Sequence, residues 1–242
     1  MTWFHASDPR PNAAVRLFCF PHAGGAAAAF REWHRAVPPG VEVRAVQYPG
    51  RAERVREPFV DDAHQMADLI AAAMRPLLDR PAVLFGHSMG ALLAYETALR
   101  INPAHLIVSG RRSAHVPRPG IVHTGTEDDL VAELRRLGGT EPELLADADA
   151  RDYILPIVRA DYTLAESYRS RPAEPLRCPI TTVIGDRDPE VDPGNAGEWA
   201  ELTSAGFALH VLPGDHFYLA ARRAEVIDLI LTAAGQAWPS NP

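Results

Sequence analysis

The sequence predicts an α/β protein, a mostly parallel, doubly wound sheet interrupted by one all-helical insertion. Three observations predict it. Short runs that are apolar nearly throughout alternate with longer stretches of helical periodicity. The alternation breaks once, over about 111–171, where helical patterns continue without a convincing strand. The length of 242 residues suits one domain, 1–242, of the size common among α/β enzymes, with 111–171 inserted in it.

The elements follow in order. Val15–Phe20, Val41–Val46, Ala82–Phe85, His105–Val108, Ile180–Ile184 and Phe207–Leu212 read as strands. Several are apolar nearly throughout, as a parallel strand covered on both faces requires. A glycine-containing turn, Pro21-His22-Ala23-Gly24-Gly25, follows the first run, and a helix is expected beyond it. In Asp61–Leu77, the residues Ala63, Met66, Ala67, Ile70, Met74 and Leu77 form one helical stripe, and Ala91–Leu99 reads as an apolar helix. Within 111–171, Leu130, Leu134 and Leu137 mark one helix. Ile154, Ile157, Val158, Asp161, Tyr162, Ala165 and Tyr168 mark another, whose face mixes polar and apolar residues. The last helix is expected over roughly Phe217–Ala234. Sixty residues is long for a connection, and the insertion follows a strand at the sheet edge where ligands bind, so it reads as a lid.

Composition narrows the class. A hydrophobic fraction of 47% with 23% charged residues is that of a globular protein with a full core. A formal charge of -7 argues against a general nucleic-acid binder. The basic clusters Arg51, Arg54, Arg56 and Arg111, Arg112 read as solvated surface. Cys19 and Cys178 are expected in strands, as small buried hydrophobes of a reducing compartment, because they form no CxxC pair. The first twelve residues lack the basic and apolar regions of a signal peptide, and no run approaches the ~20 apolar residues of a membrane span. A cytoplasmic monomer is expected, with no membrane and no nucleic acid among its partners.

The chemistry is carried by Gly86-His87-Ser88-Met89-Gly90, a GxSxG pattern between a strand and a helix. A serine nucleophile needs a sharp strand-to-helix turn that lifts its hydroxyl clear of the backbone, and a Cβ at either flanking glycine would collide with neighbouring chain. Serine also needs a base, so an acid and then a histidine should follow at the ends of later strands. Ile180–Ile184 runs into Gly185-Asp186-Arg187-Asp188, and Phe207–Leu212 runs into Pro213-Gly214-Asp215-His216. The order Ser88, Asp188, His216 is that of an α/β-hydrolase fold. Asp186, Asp192 and Asp215 remain alternatives for the acid. The Met89 N–H and, from the loop after the first long strand, the Ala23 N–H are the expected donors to an oxyanion. His22 and His87 flank this site without metal-ligand spacing and read as structural; no metal and no cofactor is expected.

With these residues in view, the chain resembles the type II thioesterases that accompany nonribosomal peptide and polyketide synthases. The resemblance covers nearly the whole chain: LFCFPHAGG (17–25), VQYPGRAER (46–54), LFGHSMGALLAYE (84–96), SGRRSAHVP (109–117), LRRLGGTE (134–141), LPIVRADYTLAESY (155–168), IGDRDPEV (184–191) and GDHFYL (214–219). Glu141 departs from the pattern, which usually has proline there; Pro142 follows instead. The resemblance implies a serine hydrolase with Ser88, Asp188 and His216 as triad, Ala23 and Met89 as oxyanion donors, and a lid that admits a phosphopantetheine arm. It implies an editing activity in antibiotic biosynthesis that removes aberrant or stalled acyl groups from acyl- or peptidyl-carrier proteins through an acyl-enzyme. A general carboxylesterase or acyltransferase of the same fold is the alternative that the triad alone leaves open.

Overall fold

Alternate side chains of a strand point to opposite faces, so a run that is apolar throughout needs cover on both sides. In β2 (Val15–Phe20), Val15, Leu17 and Cys19 enter one buried cluster while Phe18 and Phe20 enter the other. The same division holds in β4 (Ala82–His87), where Leu84 faces one way and Val83 and Phe85 the other. The computed structural model, which describes residues 2–116 and 120–237, builds one seven-stranded sheet from such runs. With β1 (Phe4–His5), β3 (Val41–Val46), β5 (His105–Ser109), β6 (Ile180–Gly185) and β7 (Phe207–Leu212), the order is β1-β3-β2-β4-β5-β6-β7. Among the described residues only β1 pairs antiparallel, with β3; the other pairings are parallel.

Strand order reverses between β2 and β4, because β3 lies on one side of β2 and the chain returns to lay β4 on the other. The loops leaving the carboxyl ends of these two strands therefore diverge and open a crevice. They are the loops holding Ala23 and Ser88.

Helices α1 (Ala63–Met74) and α2 (Met89–Ile101) cover one face, with Met66, Ile70, Met74, Leu92 and Leu93 in its core. The α1 stripe starts where expected because the Asp62 carboxylate accepts the Gln65 N–H, and Pro76 lies in a 3₁₀ turn that ends it. On the other face, the final helical region is divided into α7 (Tyr218–Ala221) and α8 (Arg223–Ala237). Val226, Ile227 and Ile230 of α8 reach its core.

Between β5 and β6 come α3 (Glu127–Leu137), α4 (Pro142–Ala146) and α5 (Ala148–Ser167). Pro142 occupies the first position of α4, where a missing N–H leaves no bond unmade. Leu130, Leu134, Leu145, Leu155, Val158 and Tyr162 form a small core of this segment, whereas Leu164 and Ala165 enter the core of the sheet. Helix α5 thus belongs to both. Pro156 lies inside it and cannot donate to the carbonyl one turn back.

Three expectations are corrected. The helix after the 21–25 turn is instead two 3₁₀ segments, Ala27–Phe30 and Trp33–Arg35. Three residues per turn put Phe30 and Trp33 on one face, where their rings meet at 4.8 Å and both pack on Phe85. Of the arginines expected on the surface, Arg51, Arg54 and Arg111 are buried, each held by partners within the fold, and Arg56 alone of the first cluster is exposed. Cys178 lies in a bend before β6, not in a strand, although it is buried and unpaired like Cys19.

Burial of histidine predicts a pH dependence of stability. His105 on β5 is 3% exposed, its Nε2 is 2.9 Å from Thr181 Oγ1, and burial pulls its pKa from 6.5 to about 4. Between those values the unfolded chain binds a proton that the folded chain does not, so this contribution is complete above pH 6.5 and is lost as pH falls toward 4. From pH 7.5 to 5 the loss is about 2 kcal/mol from this one group. In urea unfolding at the two pH values, His105→Gln should show a difference smaller by that amount; an unchanged difference would contradict it.

Candidate active site

Ser88 is the turn between β4 and α2, with φ 55 and ψ -117, a conformation that L-residues rarely adopt. The turn is this tight because its glycines lie against backbone. A Cβ on Gly86 would lie 2.2 Å from the Gly90 carbonyl oxygen, and one on Gly90 would lie 2.1 Å from the Phe20 carbonyl oxygen. The elbow is thereby pressed onto the end of β2, where the Ala23 loop begins. Ser88 N donates to Ser109 O on β5 at 2.8 Å.

Asp188 and His216 leave the carboxyl ends of β6 and β7. His216 Nδ1 donates to Asp188 and lies 2.9 Å from both carboxylate oxygens, with both side chains covered. That bond assigns the proton to Nδ1 and leaves Nε2 as the basic nitrogen. The other candidate acids are occupied elsewhere. Asp186 accepts the Gly214 N–H at 2.8 Å, Asp192 caps α6 (Pro193–Gly197), and Asp215 accepts the Phe217 N–H at 2.9 Å. Ser88 and His216 line one small cavity with Gly110, Arg111, Arg112 and Glu190, and its free volume is only about 10 Å³.

Met89 opens α2 and Ala23 lies in the facing loop; neither N–H has an acceptor among the described residues. Met89 sits at the N-terminus of α2, where the helix dipole favours a negative charge.

The flanking histidines are neutral fixtures. His87 is fully buried with Nδ1 2.9 Å from Ser109 Oγ, and burial holds its pKa well below 6.5. Ser109 Oγ is 2.7 Å from Tyr218 Oη, which donates to the Val183 carbonyl at 2.9 Å. This chain ties the segment after His216 to β5 and β6. His22 is pulled down to about 4 by burial, by His216 and by Arg51. Its ring stands edge-on to Phe217 at 4.9 Å, and beyond them lies a larger cavity of about 880 Å³. That cavity is lined also by Trp33, Arg135, Gly139 and Arg223 and does not reach Ser88.

The pattern of residues did not point to Arg51 and Asp161. Arg51 Nη1 and Nη2 each donate to Asp161 at 2.6 Å, with side chains 3% and 2% exposed. A signal for them exists. Asp161 is a carboxylate on a stripe otherwise formed by Val158, Tyr162 and Ala165, and a buried charge there requires a cation.

Comparison with known proteins agrees with this geometry. The thioesterase domain family matches residues 15–233. A probable cadicidin biosynthesis thioesterase of Streptomyces griseus is 41% identical over 240 residues, 97% of this chain and 65% of its own length. The chain thus spans somewhat less than two thirds of that relative. Thioesterase PikA5 of Streptomyces venezuelae is 40% identical over 224 residues, 90% of this chain and 80% of its own. Among solved structures, the type II thioesterase BorB from the borrelidin biosynthetic cluster superposes with a TM-score of 0.89 at 40% identity, covering 96% of this chain and 97% of that one. The match over nearly all of the sheet, together with the serine elbow and the acid–histidine pair, places the chain in the thioesterase domain family.

Proposed function

We propose that the chain is a monomeric, cytoplasmic type II thioesterase that clears aberrant or stalled acyl groups from the phosphopantetheine arms of acyl- or peptidyl-carrier proteins in nonribosomal peptide or polyketide biosynthesis. The observation that carries the reading is the meeting of Ser88, on its strained elbow, with the Asp188–His216 pair around one cavity. Relatives over nearly the whole chain that bear the thioesterase name support the thioester as the bond cleaved. None of the described helices is long and apolar enough to cross a membrane.

In this reading Ser88 Oγ attacks the acyl carbon while its proton passes to His216 Nε2. Asp188 holds the ring and stabilises the imidazolium. The negative charge on the acyl oxygen falls between the Ala23 and Met89 N–H groups. The carbon–sulfur bond breaks, the sulfur takes the proton from His216, and the carrier's thiol leaves free. A water then gives its proton to His216 as it attacks the acyl-serine, and Ser88 recovers that proton as the carboxylic acid departs. The segment 111–171 acts as a lid. A free volume of about 10 Å³ beside Ser88 has no room for an acyl chain, so side chains or the helices above must withdraw before the arm can enter.

The test is release of acetyl and longer acyl groups from a loaded carrier protein, followed by mass spectrometry, beside the same acyl groups on coenzyme A and on an oxygen ester. Fast deacylation of the carrier, absent in Ser88→Ala and slower on the small esters, is expected. Fast oxygen-ester cleavage with the carrier untouched would overturn the proposal in favour of an esterase.

A further inference from the structure

Two segments singled out by their sequence, Tyr48-Pro49-Gly50-Arg51 and the Arg159–Ser167 part of α5, take no part in the chemistry above. They meet at the buried pair of Arg51 and Asp161, which stand 110 residues apart in the chain. The pair does more than join them. Asp161 Oδ2 also accepts the Gly24 N–H at 2.7 Å, and Arg51 Nη1 also donates to the Gly25 carbonyl at 3.1 Å. Both members grip the turn that immediately follows Ala23.

That turn needs gripping. Gly24 has φ +78, a conformation open to glycine at no steric cost but shared with many others in a free chain. The other side of Ala23 is fixed separately. Tyr48 Oη donates to the Pro21 carbonyl at 3.1 Å, and the carbonyls of Phe20 and Pro21 lie against Gly90. Held at Pro21 and again at Gly24 and Gly25, the Ala23 N–H has little freedom of direction.

We infer that the Arg51–Asp161 pair positions the oxyanion-binding loop, setting the Ala23 N–H for the charge that develops during acyl transfer. The inference rests on the proposed function, in which Ala23 is an oxyanion donor. Stability alone explains the pair poorly, because a buried ion pair is often no better than a well-packed apolar replacement. This one is also incompletely matched, since Arg51 Nε is buried without an acceptor. Its two residues are positioning residues, acting through the loop and not on the substrate.

The experiment compares Asp161→Asn with wild type in kcat and KM on an acyl thioester, and in the Ki of an alkylboronic acid, which forms an anionic tetrahedral adduct on the serine. A displaced donor should lower kcat by about 10²-fold. KM should stay within about twofold and Ki should rise in step with the loss in kcat, since the boronate adduct samples the same charge. Glu42→Gln, which breaks the buried Arg16–Glu42 pair remote from the site, serves as control and should lower thermal stability with kcat unchanged. Arg51→Lys, keeping the charge and losing the fork, should fall between wild type and Asp161→Asn. A folded Asp161→Asn with kcat and Ki both within about twofold of wild type would overturn the inference. So would failure of both pair variants to fold, which would assign the pair to the fold alone. If wild type itself neither turns over thioesters nor binds the boronate, the proposed function fails, a result distinct from both.

Discussion

Changing Asp188 to asparagine should lower kcat for thioester hydrolysis by about 10⁴-fold, with little effect on stability. The carboxylate accepts from His216 Nδ1 and from the Glu190 N–H, and an amide of the same shape fills the space while it can present its NH₂ to the ring. The imidazole then turns its proton toward Ser88 and cannot act as a base. Asp186→Asn is the informative partner. Asp186 stands two residues away but accepts the Gly214 N–H, so its amide should cost at most about tenfold in kcat, through a loosened His216 loop. Steady-state kinetics of both variants on one acyl thioester decide the matter. Equal losses, or a larger loss at Asp186, would remove Asp188 from the acid's role.

Ser88→Gly should abolish turnover, by about 10⁶-fold, and yet leave a more stable protein. Ser88 is held at φ 55 and ψ -117, and holding a residue with a side chain in such a region costs on the order of 1–3 kcal/mol. Glycine relieves that strain. It also enlarges the conformational freedom of the unfolded chain, which takes back about 0.5–1 kcal/mol. The net gain is about 1 kcal/mol, visible as a rise in Tm over wild type. Ser88→Ala is the contrast, equally inactive but still strained, with a Tm close to wild type. A Ser88→Gly variant less stable than Ser88→Ala would show that the elbow is not a site of stored strain.

What the residues disclosed in advance depends on how local each signal is. The six longer strands are legible because each is a short run dense in apolar residues, though Val41–Val46 carries Glu42 and Arg44, and β4 and β6 gain only a residue or two where they turn into the site. Phe4–His5 is too short to show a period, and only its pairing with β3 makes it a strand. The alanine-rich stretch from Ala26 reads as helix by propensity, but packing of Phe30 and Trp33 onto Phe85 prevails. Ser88, Asp188 and His216 are legible because each follows a strand, and strand ends are where such chemistry is placed. Arg51 is not, since its partner stands 110 residues away and a cluster of arginines ordinarily faces water. Only the fold shows that Arg51 answers Asp161.

Pro156 divides α5 unevenly, and Asp161 lies on the side that is anchored to the sheet by Leu164 and Ala165. The helix is weakest at the proline, so a displacement of α3, α4 and the first turns of α5 can be absorbed there. The small core of the helical segment and the residues that hold the Gly24–Gly25 turn then answer largely to different parts of the chain. Exchanges among 127–155 should therefore leave the Gly24–Gly25 turn held as it is.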